Sequence, residues 1–257
     1  MTANSHNGKQ SNVQAVMTVS SHNGKQANMY EDYIALQQVT CRYGRGSRVN
    51  ALAEVSLSVP QGQFVAVVGG AGSGKSALLR VLAGLLRPVA GTVVVGGMNL
   101  GAASEQALGR YRRRVVGFVP QQPTLLRGLT AWENVALPLL AGRDGGGDLK
   151  ARAVEALEAV GAGELASVRA EALSQAQVAQ VALARALVHD PELILADEPA
   201  GMLDVRGAAR AMECLRERHQ QGCTVIVASH HGADVDGAER CLRLEAGTVT
   251  ADERLPS

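Results

Sequence analysis

The chain has 257 residues, of which 46% are apolar but only 3% aromatic, and its formal net charge is +1. That length allows one large domain or two small lobes with a core of Ala, Val and Leu, and the charge excludes an electrostatic case for nucleic acid. The four cysteines, Cys41, Cys214, Cys223 and Cys241, are widely spaced and show no C-x-x-C, which argues against zinc or a disulfide framework, and no apolar run reaches the ~20 residues of a bilayer span.

In chain order, residues 1–30 come first and differ from the rest. Ser5-His6-Asn7-Gly8-Lys9-Gln10 recurs as Ser21-His22-Asn23-Gly24-Lys25-Gln26. Such a polar repeat buries too little apolar surface to offset its ordering entropy, so a disordered tail is predicted, followed by one domain over 31–257. Residues 34–41 and 51–59 alternate apolar and polar side chains like half-buried antiparallel strands. Residues 64–68 form the continuous apolar run of a central parallel strand. A helix is predicted over 76–86, with Gly84 near its end and Pro88 beyond, and strands over 92–95 and 115–119. The run Arg110-Tyr111-Arg112-Arg113-Arg114 reads as a solvated helix end. Helices over 132–140 and 149–160, separated by a flexible glycine stretch at 142–147, form a helical lobe inserted over about 122–175. Strands return at 193–196 and 224–228.

Between the central strand and the first helix, Gly69-Gly70-Ala71-Gly72-Ser73-Gly74-Lys75-Ser76 spells G-x-x-x-x-G-K-[ST], the pattern of a phosphate-binding loop. Glycines let successive backbone N–H groups turn inward around an anion. The following helix adds its positive end, roughly half a unit charge. Lys75 can reach the β- and γ-phosphates, and the Ser76 hydroxyl can ligate Mg²⁺. From Tyr30 onward Lys75 and Lys150 are the only lysines, so a compact ammonium is kept where a phosphate needs it. The chain is expected to bind a nucleoside triphosphate.

The strand at 193–196 ends in Asp197 and Glu198, at the tip where ligands sit on an open parallel sheet. Asp197 is expected to hold the Mg²⁺, and Glu198 to orient and polarise an attacking water. Adjacent carboxylates argue for hydrolysis over kinase chemistry, because a water nucleophile needs a base beside the γ-phosphate.

An ordered series of motifs from Glu31 to about Thr250 resembles the ATPase subunit of ABC transporters, most closely the lipoprotein-release and macrolide-exporter type. Tyr43 matches the aromatic that stacks on adenine, and Ala77 stands where a hydroxyl often helps hold the α-phosphate. Gln121 matches the glutamine that senses Mg²⁺ and faces the helical lobe. Residues 130–138, Thr-Ala-Trp-Glu-Asn-Val-Ala-Leu-Pro, match the T-x-x-E-N-V-x-L-P run of the exporter-like branch. Leu173-Ser174-Gln175-Ala176-Gln177 occupies the signature position, Leu203-Asp204 the end of the D-loop, and Ser229-His230 the switch histidine.

The resemblance implies an α/β fold, a P-loop NTPase with a RecA-like lobe, an antiparallel β edge and the inserted helical lobe. It implies ATP and Mg²⁺ as cofactors, with Glu198, His230 and Gln121 catalytic and Ser76, Gln121 and Asp197 around the metal. Ser174, Ala176, Gln177 and Asp204 would contact the ATP of a second subunit, in a head-to-tail homodimer or heterodimer that drives a separate membrane permease from the cytoplasmic face of the plasma membrane. The family usually carries L-S-G-G-Q, and Gln175 and Ala176 replace its glycines. Loss of easy positive φ there is expected to cost roughly 1–2 kcal/mol and to weaken the trans surface. That leaves two readings open, a hydrolysing transporter subunit or a slow regulatory module. A soluble ABC protein of translation or repair is disfavoured by the absence of a second such domain or a long coiled coil.

Overall fold

The computed structural model describes residues 18–20, 26–28, 32–44, 49–140, 148–230 and 235–256. The 142–147 glycine stretch and most of the polar tail lie outside the described residues. Within the tail, β1 (Thr18–Ser20) pairs antiparallel with β2 (Gln26–Asn28).

Two further sheets carry the domain. β3 (Ile34–Arg42) and β4 (Asn50–Val59) pair antiparallel, and β6 (Ala90–Val95) and β7 (Met98–Asn99) extend them in the order β4-β3-β6-β7. The larger sheet is built on β5 (Phe64–Val68), which is wholly buried. Its order is β12-β11-β5-β10-β9-β8, with β8 (Val116–Val119), β9 (Leu193–Asp197), β10 (Thr224–Ser229), β11 (Arg240–Glu245) and β12 (Thr248–Arg254). Its ladders are parallel except for the antiparallel edge strand β12. β11 and β12 were not anticipated.

Strand pleat explains how five apolar residues serve two cores. Successive side chains point to opposite faces, so Val65 and Val67 join Leu193, Leu195 and Ile226 under α1 (Lys75–Leu82) and the antiparallel sheet. Phe64 and Ala66 join Ile194, Ala196, Val225 and Val227 on the other face. There they meet α6 (Val205–Gln220) and a helical layer of α3 (Ala131–Leu140), α4 (Leu149–Ala159) and α5 (Gln175–Leu187). Phe64 is the one aromatic among the largest fully buried side chains, so the core is aliphatic. Truncating a fully buried leucine such as Leu195 to alanine should cost about 2–5 kcal/mol.

α1 stops at Leu82, four residues short of the expected end. Gly84 takes φ 64°, its N–H bonds Val81 O at 2.9 Å, and Leu85 N–H bonds Arg80 O at 2.8 Å. These two bonds are the Schellman closure, which a glycine past the last turn permits. α2 (Glu105–Arg114) begins at Ser104, whose hydroxyl accepts from Ala107 N–H, and ends in three arginines that complement the helix dipole. Among the described residues, no helix is long and apolar enough to cross a membrane.

Candidate functional site

The glycine loop connects the buried β5 to α1, so its position is fixed by the centre of the sheet. Gly74 holds the N-cap position of α1 at φ 108° without a side-chain cap, whereas α2, α4, α5 and α6 are each capped by a Ser or Asp side chain. The first N–H groups of α1 are therefore available to an anion. A Cβ at Gly74 would lie 2.6 Å from Ala51 O, and one at Gly69 would lie 2.3 Å from Leu244 O. Gly72, at φ 75°, is required by its backbone. Gly70 is not so constrained, since the space beside it is open.

Lys75 is buried, and its ammonium donates to Gly69 O at 2.7 Å and Gly70 O at 3.2 Å. The Ser73 hydroxyl is buried without a hydrogen-bond partner among the described residues. Residues 72–77 line a cleft of about 420 Å³ together with Tyr43 and Ala51. Ala77 lines it although its side chain is in the core, and the exposed Ala71 sits at the loop's outer turn. Tyr43 is half exposed, with the Arg80 guanidinium carbon 5.7 Å from its ring centroid.

The carboxylates at the tip of β9 occupy different settings. Asp197 is 2% exposed, and its Oδ1 has no hydrogen-bond partner among the described residues. Burial raises its carboxyl above the ordinary range, with Glu198 adding to the rise, while a hydrogen bond from Ser76 and the charges of Lys75 and Arg80 oppose it. An orphaned buried carboxylate oxygen beside a serine hydroxyl fits a divalent cation. No group of three or more His, Cys, Asp or Glu converges among the described residues, so an ion here depends on Ser76, Asp197 and phosphate oxygens.

Glu198 points the other way. Its φ is 51°, and its N–H bonds Ala228 O on β10 at 2.9 Å. The Gln121 side-chain amide donates to Oε2 at 3.0 Å, and His230 Nε2 approaches Oε1 at 2.8 Å. Three residues far apart in sequence, delivered by the ends of β8, β9 and β10, thus meet on one carboxylate. Each of its oxygens keeps a second lone pair for water.

The other candidate residues lie apart from this cluster. Ser174 is the exposed N-cap of α5 and forms a capping box with Gln177: the Ser174 hydroxyl accepts from Gln177 N–H at 3.3 Å, and Gln177 Oε1 accepts from Ser174 N–H at 2.9 Å. Asp204, the exposed N-cap of α6, accepts from Gly207 N–H at 2.8 Å. Gln175 and Ala176 form the first turn of α5, and neither has a positive φ. The expected strain from the missing glycines is therefore corrected: a helical turn admits any Cβ, so no left-handed penalty arises there. Sequence reasoning also missed Arg80 against Tyr43 and Arg185 against the segment after Gln121. A cation four residues after Ser76 on one helix face was the available signal for Arg80.

Comparison with known proteins bears on what this site is. The family model described as ABC transporter matches residues 52–201. An ABC transporter ATP-binding protein of Thermotoga maritima, itself uncharacterised, is 40% identical over 207 residues, 80% of this chain and 88% of that protein. A macrolide export ATP-binding/permease protein, MacB 1 of Aeromonas hydrophila, is 38% identical over 88% of this chain, and this chain spans 35% of its length. Among solved structures, the dimeric post-hydrolysis state of the ATP-binding cassette MJ0796, bound to ADP and Pi, superposes with a TM-score of 0.83 at 34% identity, covering 87% of this chain and 99% of that one.

Proposed function

The chain belongs to the ABC transporter family, and on that premise we propose that it hydrolyses ATP as a head-to-tail dimer and drives a separate membrane permease of the exporter-like branch. The family's chemistry, ATP hydrolysis with Mg²⁺, is matched by the cis cluster of this chain. The observation that carries the reading is the convergence of Gln121 and His230 on Glu198, one residue beyond a buried Asp197. The MacB relatives join an ATP-binding part to a permease in one chain, which supports the exporter-like assignment. The dimeric cassette structures support the head-to-tail pairing.

In this reading the glycine-loop N–H groups and Lys75 bind the phosphates, and Tyr43 stacks on the base. Ser76, Asp197 and Gln121 would hold Mg²⁺, which would supply positive charge to offset the phosphate charge. Glu198 accepts the proton of the attacking water. Gln121 and His230 fix the orientation of its carboxylate. Ser174, Ala176, Gln177 and Asp204 complete the site of the other protomer, so neither site is whole in a monomer. The capping box orients Ser174 without glycines, and nothing in the backbone favours an impaired module.

The test is Glu198→Gln. It preserves the shape of the cluster and removes the proton acceptor, so MgATP affinity should stay within about twofold while turnover falls by a factor on the order of 10² or more. Wild-type turnover in that variant would place the base elsewhere.

A further inference from the structure

Arg185 lies eleven residues after Ser174 on α5, on the helix whose N-terminus serves the partner's site in the reading above. Its guanidinium Nη2 donates to Thr124 O at 3.0 Å, three residues beyond Gln121. Burial draws this guanidinium below its ordinary pKa, so its charge is taken from water and meets a backbone carbonyl. The bond is one of a series. Arg169 Nη1 donates to Gly128 O at 3.0 Å, and Gly128 N–H donates to the Glu171 carboxylate. Ala170 N–H bonds Leu129 O at 3.0 Å, and Ala131 N–H bonds Val168 O at 2.8 Å. Thr130 and Arg169 form an antiparallel bridge. The segment that follows Gln121 is thus bonded at residues 128–131 to residues 168–171, just before Ser174, and Arg185 on α5 adds a tie at Thr124, nearer Gln121.

At the next residue α5 is also seated on the sheet. A Cβ at Gly117 on β8 would lie 2.3 Å from Ala186 O, so the helix backbone touches the strand that leads directly to Gln121. α5 therefore contacts the Gln121 segment from both sides, through Gly117 before it and through Thr124 after it.

We propose that Arg185 is a positioning residue that ties Gln121 to the signature helix, so that the placement of Gln121 against Glu198 in one site fixes the placement of Ser174 offered to the other. This rests on the head-to-tail reading. Arg185 touches no part of the nucleotide cleft, so it acts on turnover and leaves binding alone. A merely structural tie would instead loosen the helical layer, and its effect would be independent of Gln121.

The experiment is a double-mutant cycle on the full-length chain, reading kcat, KM for MgATP and the thermal midpoint. Arg185→Gln should lower kcat about tenfold, the weight of one hydrogen bond from a charged donor, with KM within about twofold. Arg185→Lys, which keeps a cationic donor, should recover most of that loss. The double variant Gln121→Ala/Arg185→Gln should be no slower than Gln121→Ala alone by more than about twofold, because coupled residues are non-additive. Losses that multiply in the double variant, or a fall in kcat that tracks the thermal midpoint and is not recovered by lysine, would overturn the proposal while leaving the ATPase reading intact. A parent chain that binds MgATP without hydrolysing it would overturn the ATPase reading and the proposal with it.

Discussion

Asp197 and Glu198 are consecutive carboxylates with opposite environments, and the backbone between them is the cause. Strand pleating buries Asp197 beside Ser76, and the left-handed turn at Glu198, φ 51°, swings the next carboxylate toward Gln121 and His230. Such a conformation costs a non-glycine residue about 1–3 kcal/mol. It persists because Glu198 N–H bonds Ala228 O and both carboxylate oxygens have donors. For Asp197, the folded pKa is raised above the unfolded one, so ionisation costs stability above the folded pKa, and that cost vanishes once pH falls below the unfolded value of about 3.9. Asp197→Asn should therefore raise the thermal midpoint of the nucleotide-free protein near neutral pH. The gain should shrink as pH falls toward 4, and MgATP should stabilise this variant less than the parent. Differential scanning calorimetry across pH measures both. Lys75→Ala removes the mobile cation of the loop and should weaken MgATP binding at least tenfold by titration calorimetry. These residues were legible in the sequence because their chemistry is local: a glycine loop after an apolar strand, and two carboxylates at a strand tip. Gln121 and His230 carried no local signal and entered only through their place in a motif series. Arg185 entered likewise, in the Ala184-Arg185-Ala186 run after the signature, but its contact did not, since its partner is a backbone carbonyl 61 residues away.

Among the elements, α5 shows how a local expectation can fail through the wrong conformational premise. Reading Gln175 and Ala176 as glycine replacements presupposed a loop, whereas the Ser174–Gln177 capping box starts a helix there. Gln175→Gly combined with Ala176→Gly should then lower the thermal midpoint, since glycine is about 1 kcal/mol poorer than alanine inside a helix and somewhat less so in a first turn. A rise in the midpoint would restore the strain argument. Gly117→Ala should be worse, because Ala186 O leaves no room for a methyl group and α5 would have to leave β8; loss of 1–3 kcal/mol in chemical denaturation is expected. The strands β3 to β6, β8, β9 and β10 were visible through apolar alternation or continuous apolar runs. β12 was not, because it is an edge strand whose residues stay largely exposed and polar. α6 was passed over for a similar reason, with arginines and glutamates spread along most of its length.

At the scale of the molecule, the cluster on Glu198 and the exposed caps Ser174 and Asp204 lie on separate parts of the same chain, and the proposed function divides one chemical task between them. The glycine loop follows β5, the two carboxylates end β9 and His230 follows β10, while the caps proposed to serve a partner sit at the starts of α5 and α6. The helical layer shares its apolar core with one face of the sheet. The central claim is that two copies close around ATP, and sedimentation of the Glu198→Gln variant tests it most directly. With MgATP it should sediment as a species of twice the 26.8 kDa protomer mass, and without nucleotide, or with Ser174→Arg added, as the protomer alone. A Glu198→Gln chain that binds MgATP yet remains a protomer at every concentration tested would contradict the account.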